Sequence, residues 1–317
     1  MTGAAPPHTT AGLGALITAA ACWGSVVVTV KIASRGLPVL TITMLEVLVG
    51  LAVLGVVLVV RDAPLGRPDR LQVMGGILEP GLAYPLINAG LNRTSGTHAA
   101  IIIGLESLAV VAGRALLDRE RPSGTVSIAV AVTAVGAIVV AAGRGGTATT
   151  AGDALVAAGV VTAAGYVLLA QRQPNASDAV AATFYQFLFG AIALTAIDLV
   201  ITACSGSVKV WGHPTNGQVA AALGAGLVGS AIAFGLYNWA LTKVTTALAG
   251  TSLTLIPVFG IGFSVAFLGD AINLRIIAGV IVVVAGIALA SSPFAERRRD
   301  RRSVRAAPTP TGDNLPT

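Results

Sequence analysis

One stretch of the chain occurs twice, and this repeat limits the possible architectures more than any other feature. Residues 79–141 align without a gap to residues 229–291, which lie 150 positions later. The informative matches are polar: two asparagines inside apolar runs, two cations after them and two acids after the next run, namely Asn88 and Asn238, Arg93 and Lys243, and Glu120 and Asp270. A repeat of this length predicts two halves of similar structure.

Composition indicates that lipid is the solvent of most of the chain. The 317 residues are 55% hydrophobic and 11% charged, with a mean hydropathy of +0.83, whereas soluble domains carry about 25% charge. A helix of about 20 apolar residues spans the bilayer, and uninterrupted runs of this length favour helices over barrel strands. Ten segments qualify, at approximately 12–33, 39–60, 72–91, 97–117, 123–142, 153–172, 179–202, 218–241, 247–268 and 275–292.

The predicted fold is therefore an all-α polytopic membrane protein with ten transmembrane helices in two inverted five-helix repeats. Five spans per half is an odd number, so the second half must cross the membrane in the opposite sense. Inverted repeats are typical of secondary transporters, which bind substrate near the midplane between the halves. The predicted organisation is a short N-terminal tail, the first repeat, a linker, the second repeat and a basic disordered tail, at 1–11, 12–142, 143–152, 153–292 and 293–317.

The charge distribution predicts the orientation in the membrane. The net charge is +6, but six of the 20 cations lie between Arg297 and Arg305, and most others lie at the ends of apolar runs. This pattern is that of topology signals and excludes a nucleic-acid partner. With both termini in the cytoplasm, 14 cations lie inside and six outside. We therefore expect a multi-pass protein of the cell membrane, whose C-terminal tail contacts anionic lipid head groups.

Three glutamates in apolar runs are candidates for a substrate or proton pathway: Glu46, Glu79 and Glu106. A charge at the bilayer centre costs about 2.5–3.5 kcal/mol on insertion scales, so residues of this kind are usually functional. Pro80 and Pro85 follow Glu79, and prolines kink a helix. Loss of hydration favours the protonated carboxyl, so these groups bind a proton, a cationic group or both in turn. The alternative is that they form hydrogen bonds between helices or face a wet vestibule.

Further polar and aromatic side chains within the spans are candidates to line the same pathway: Trp23, Tyr84, Asn88, His98, Tyr185, Gln186, Tyr237 and Asn238. With a shift of 140, Glu46 coincides with Gln186, so each half has one polar residue early in its second helix. On an ideal helix Asn88 lies about 180° from Glu79, so both face one cavity only if the helix is kinked. For His98 an interfacial position at the start of the fourth span is favoured over a proton relay. Lys31 is expected to extend to the membrane surface.

The sequence contains no motif of an enzyme or of a primary pump. It lacks the phosphate-binding G-x-x-x-x-G-K-[ST], the zinc motif H-E-x-x-H and the nucleophile motif G-x-S-x-G. Three histidines and two distant cysteines do not supply a metal site. We therefore predict no enzymatic activity, no cofactor and no metal.

Local patterns over residues 12–292 resemble the EamA-type branch of the drug/metabolite transporter superfamily. The patterns are Cys22-Trp23-Gly24-Ser25 with Lys31, then Arg93 to Ala100 with Leu105-Glu106 and Glu120-Arg121-Pro122, and finally Leu255-Ile256-Pro257-Val258 with Gly269-Asp270, Gly279 and Gly286. The resemblance implies a carrier of the cytoplasmic membrane, usually an exporter, that works by alternating access. It also implies a central cavity lined by the first four helices of each half, with the fifth and tenth helices at the periphery.

Two departures from the family pattern affect the expected substrate. Ser107 stands where the family often has proline, and Glu46 stands where it often has arginine. The second change reverses a charge and favours cationic or zwitterionic cargo. The expected function is export of small polar metabolites, such as amino acids or amines, with proton coupling as one mode. The alternatives are an uncoupled facilitator or exchanger and a non-transporting membrane scaffold, and a homodimer is compatible with each.

Overall fold

The computed structural model describes residues 10–63, 65–117, 124–142, 149–170, 179–205, 213–241, 243–244, 252–253 and 255–290, and every regular element within these ranges is helical. The first half contains α1 Thr10–Ala33, α2 Val39–Val60, α3 Arg70–Gly76, α4 Ala83–Leu91, α5 Gly96–Gly104, α6 Glu106–Leu117 and α7 Gly124–Ala142. The second contains α8 Thr150–Ala170, α9 Ala179–Ser205, α10 Asn216–Gly224, α11 Ala233–Leu241, α12 Leu255–Phe263 and α13 Leu274–Ala290. The predicted tail 293–317 and most of the linker 143–152 lie outside the described residues.

The structure contains the repeat that the sequence predicts. Each half interrupts its third span with a π-helical segment, Ile77–Leu82 in the first half and Ala225–Ile232 in the second. The helices that follow, α4 and α11, begin 150 positions apart, as do α7 and α13. Both third spans start with a capping box. The side chain of the N-cap residue accepts from the backbone nitrogen of the glutamine three residues later, and the side chain of that glutamine accepts from the backbone nitrogen of the N-cap residue. The chain is thus a polytopic helical protein with inverted repeats.

The helices present an apolar surface that suits lipid. Within the described ranges, five helices are long and apolar enough to cross a membrane, and shorter apolar helices cover Gly96–Val110, Leu255–Leu268 and Leu274–Gly286. Large apolar side chains are exposed on the outside of the protein, including Val59, Val60 and Leu116, each 80% exposed. The predicted third span is not continuous because Glu79 has φ −144° and ψ 117°, outside the helical region.

The two halves interlock, because the helices of one pack chiefly on helices of the other. Helix α1 packs on α11 and α12, and α2 packs on α9 and on the segment Ala225–Ile232. The last helices of the halves, α7 and α13, pack mainly on each other, and a Cβ on Gly136 would lie 2.8 Å from the backbone nitrogen of Val283. Only glycine allows such an approach, so the pair forms a tight peripheral unit.

Candidate functional site

The centre of the molecule is organised around the helix break at Glu79. The freed backbone carbonyl of Glu79 accepts a hydrogen bond of 2.9 Å from Nε2 of Gln186 in the second half. Gln186 is 3% exposed, and its Oε1 accepts from the Tyr166 hydroxyl at 2.9 Å. A Cβ on Gly190 would lie 2.5 Å from the Pro80 ring, so a bare glycine lets α9 approach the break. A side chain of the second half thus donates the hydrogen bond that the helix break leaves missing at the Glu79 carbonyl of the first half.

A second polar group joins α2 to α4. Nδ2 of Asn88 donates to Oε2 of Glu46 at 3.1 Å and to the hydroxyl of Thr43 at 3.0 Å. All three side chains are buried, with Glu46 only 4% exposed. Glu46 therefore lies inside the protein, and Asn88 holds its carboxyl in one position.

The carboxyls of the first half share one electrostatic environment. Glu79 and Glu106 interact with each other, and the Tyr84 phenol interacts with Glu46, Glu79 and Glu106. Glu79 and Glu106 are surrounded by protein yet remain partly accessible, which requires open space of at least water size beside them. On an ideal helix Glu79 and Asn88 would face opposite sides, but the helix is broken at Glu79. Tyr84 interacts with Glu79 and also with Glu46, the carboxyl that Asn88 binds, so both ends of the broken helix contribute to one site.

Aromatic rings from both halves line up beside these carboxyls. Trp23 of α1 contacts Phe234 and Tyr237 of α11 edge to face, with ring centroids 5.3 Å and 5.4 Å apart. Phe234 contacts Phe187 of α9 at 5.9 Å, and Phe187 contacts Tyr84 at 6.5 Å. Tyr237 also interacts electrostatically with Glu106. We call these rings and carboxyls the central site: Trp23, Glu46, Glu79, Tyr84, Glu106, Phe187, Phe234 and Tyr237.

A separate polar group joins the halves at the end of the bundle that contains Ala33, the last residue of α1. Oδ2 of Asp270 accepts from the backbone nitrogen of Thr97 at 2.8 Å and from its hydroxyl at 3.1 Å. Nζ of Lys31 donates to the carbonyls of Leu91 and Thr94 at 2.9 Å and 2.6 Å, and it interacts electrostatically with Asp270. The ammonium of Lys31 thus binds the exposed carbonyls around the end of α4, and the expectation that Lys31 extends to the membrane surface stays a prediction.

His98 and Asp153 extend this group to α8. Nδ1 of His98 lies 3.2 Å from Oδ2 of Asp153, and Oδ1 of Asp153 accepts from the Thr94 hydroxyl at 2.5 Å. His98 is 2% exposed, so it is packed inside the protein at this end of the bundle, and its interfacial position stays a prediction. We call these side chains the distal cluster: Lys31, Thr94, Thr97, His98, Asp153 and Asp270.

The structure thus brings six of the eleven predicted site residues into the central site: Trp23, Glu46, Glu79, Tyr84, Glu106 and Tyr237. Asn88 and Gln186 contact it through Glu46 and the Glu79 carbonyl. His98 belongs to the distal cluster, and the Tyr185 hydroxyl instead donates to the carbonyl of Gly66. Asn238 lies in α11, but its side chain is outside the described residues.

Sequence reasoning did not identify Asp153, Thr94, Thr97, Phe187, Phe234 or Ser230 as parts of a site. Asp153 had a usable signal, since it is an acid in the first turn of an apolar helix. The phenylalanines had none, because an aromatic residue in an apolar run is ordinary. Among the described residues, no group of three or more His, Cys, Asp or Glu is placed to hold a metal ion.

The fold and the arrangement of polar groups define a class, namely an inverted-repeat helical membrane transporter. The family model described as "EamA-like transporter family" matches residues 10–142 and again 150–292, so the chain belongs to the EamA-like transporter family. A search of curated proteins finds no match. A solved structure titled only "Crystal structure of protein" is similar, with 20% identity, a TM-score of 0.63 and coverage of 90% of this chain and 98% of that chain. That similarity supports the fold alone.

Proposed function

We propose that this protein is a secondary active transporter that exports small polar metabolites by alternating access, with proton coupling through the carboxyls of the central site. The observation that carries the proposal is the position of Glu79 and Glu106. They lie between the interlocked halves, surrounded by protein but beside open space. Binding near the midplane between inverted repeats is the arrangement that secondary transporters use.

The distal cluster supports alternating access, because it joins the halves by hydrogen bonds at the end of the bundle that contains Ala33. Thr97 of the first half binds Asp270 of the second, and Thr94 and His98 bind Asp153. Each hydrogen bond contributes about 0.5–3 kcal/mol, the higher values applying to charged partners. A few such bonds close one end firmly, yet contacts of similar strength at the other end can offset them. Two states of similar energy are what alternating access requires.

The broken helix supports proton exchange at Glu79. A carboxyl inside the membrane is stable when neutral or paired, and the described residues contain no lysine or arginine that forms an ion pair with Glu46, Glu79 or Glu106. We propose that Glu79 binds a proton on one side and releases it when cargo binds or when the other side opens. The charge distribution further supports a cell-membrane protein with both termini in the cytoplasm.

The test begins with cells that overproduce the wild type, the Glu79→Gln variant or the exposed-acid control Asp62→Asn. Solutes that accumulate outside the wild-type cells but not outside cells that lack the protein are then measured in proteoliposomes of each of the three proteins with an imposed pH gradient. We expect gradient-driven flux with wild type and Asp62→Asn, and loss of the gradient dependence with Glu79→Gln.

Two results would overturn parts of the proposal. Equal flux with Glu79→Gln and wild type, independent of the gradient, would exclude proton coupling and favour an uncoupled facilitator. Absence of flux for every exported solute, at normal membrane levels, would exclude transport and favour a membrane scaffold.

A further inference from the structure

The central site has a chemical character that narrows the cargo, and the inference rests on the transport function proposed above. It combines acids with aromatic faces: Glu79 and Glu106 interact with each other, and Tyr84, Tyr166 and Tyr237 interact with one or both of them. Within the described part of the chain, no lysine or arginine neutralises these acids by an ion pair. A bound positive charge would therefore be favourable here.

The aromatic rings form a continuous run across the boundary between the halves. The order is Tyr237, Trp23, Phe234, Phe187 and Tyr84, with neighbouring centroids 5.3–6.5 Å apart and edge-to-face geometry at every contact. Edge-to-face packing turns the negative face of one ring towards the next and orients the faces differently. Phe187 is fully buried, whereas the other four rings are partly exposed. An exposed ring face attracts a weakly hydrated cation, most strongly over tryptophan.

A buried hydroxyl adds polarity beside Tyr84. Ser230 is fully buried, and its side chain interacts with the Tyr84 phenol. The Tyr84 phenol is therefore held next to the acids by a polar neighbour of the second half.

We propose that the central site binds a monovalent organic cation that carries an aromatic or other apolar group, with the positive charge beside Glu79 and Glu106 and the apolar part against Trp23. The other classes fit less well. An anion would be repelled by the acids, and a neutral solute would leave them unpaired. An inorganic cation prefers a shell of oxygen ligands to ring faces.

The experiment is isothermal titration of the purified protein in lipid nanodiscs with matched probes. Benzyltrimethylammonium has both the charge and the ring, tetramethylammonium has the charge alone, and benzoate has the ring with the opposite charge. We expect benzyltrimethylammonium to bind at least about tenfold more tightly than the other two, because it alone uses both the acids and the ring faces.

Variants of the central site test whether benzyltrimethylammonium binds there. Trp23→Leu should weaken binding of benzyltrimethylammonium about 3- to 30-fold, and Trp23→Phe should recover most of that loss because it restores a ring face. The double variant Glu79→Gln and Glu106→Gln should weaken binding at least about tenfold. Phe263→Leu is the aromatic control, since Phe263 stacks on Phe259 at 6.1 Å, outside the run, and it should change affinity by less than about twofold.

Benzoate binding as tightly as the cation, or no cation binding by a protein that keeps its helical circular dichroism, would overturn this inference. An effect of Phe263→Leu equal to that of Trp23→Leu would do the same. The two proposals fail separately. Cation binding without flux in proteoliposomes overturns the transport function, whereas flux of another solute without cation binding overturns only the substrate class.

Discussion

Under the proposed mechanism, removal of the Asp270 carboxylate should open the end of the bundle at which the distal cluster joins the halves. Asp270→Ala removes the bonds from the Thr97 nitrogen and hydroxyl, at 2.8 Å and 3.1 Å, and the electrostatic attraction to Lys31. Bonds to a charged group contribute about 1.5–3 kcal/mol each when buried. Asp270 is partly exposed, so we take a total of about 1–3 kcal/mol after allowing for solvent screening.

This energy predicts a measurable change of population. A loss of about 1–3 kcal/mol in the closed state alone multiplies the open-to-closed ratio by about 5- to 150-fold. If the open state of the wild type has a population of about 1%, the variant should contain about 5–60%. Graded variants sharpen the prediction. Thr97→Val removes only the hydroxyl bond and should have a smaller effect, and Thr97→Ser keeps that bond and should resemble the wild type.

The assay is double electron–electron resonance between spin labels on the exposed positions Asn92 and Ala271, in a background with Cys22 and Cys204 changed to serine. The two labels lie on opposite halves at the distal end, so opening should add a longer distance to the distribution. Identical distributions for wild type and a folded Asp270→Ala variant would refute the assignment of the distal cluster as the closing contact. An equal effect of Thr97→Ser and Thr97→Val would refute the role of the hydroxyl.

Two predictions concern stability, measured by reversible unfolding in mixed micelles. A double-mutant cycle of Glu46→Ala and Asn88→Ala should give a coupling energy of about 0.6–1.7 kcal/mol, the range of hydrogen bonds between membrane helices. A coupling near zero would contradict the 3.1 Å bond between them. Gly190→Val should destabilise by about 1–3 kcal/mol through overpacking, because even a Cβ there lies 2.5 Å from Pro80. Gly14→Val is the control, since a Cβ on Gly14 meets nothing within 4 Å, and an equal loss in both variants would contradict the packing argument.

Much of the architecture could be predicted because it depends on local and periodic features of the chain. The length and polarity of the apolar runs predict membrane helices, and the repeat at an offset of 150 predicts two inverted halves, which the π-helical segments and α4 and α11 reproduce. The unusual residues in apolar runs also pointed to the centre of the molecule. Glu79 and Glu106 stand out in membrane-spanning segments, because an unpaired acid is costly inside the bilayer.

The partners of His98 and Lys31 show what local reasoning could not predict. Both lie near the end of a span, where a polar residue normally reaches water. Their partners are distant in sequence, since Lys31 binds the carbonyl of Thr94 and His98 binds Asp153. Only the packing of α1, α4, α5 and α8 places these groups within hydrogen-bond distance, so burial and pairing could not be predicted from either residue alone.

The sequence by itself thus determined the membrane class, the inverted repeat and the acids of the first half, because composition and periodicity are properties of single segments. Tertiary structure alone decided which of those acids share a site, which rings lie beside them and which side chains form the distal cluster. The break at Glu79 is the clearest case. The prolines predict a kink, but the pairing of its carbonyl with Gln186 and the aromatic run from Tyr237 to Tyr84 exist only when the two halves interlock.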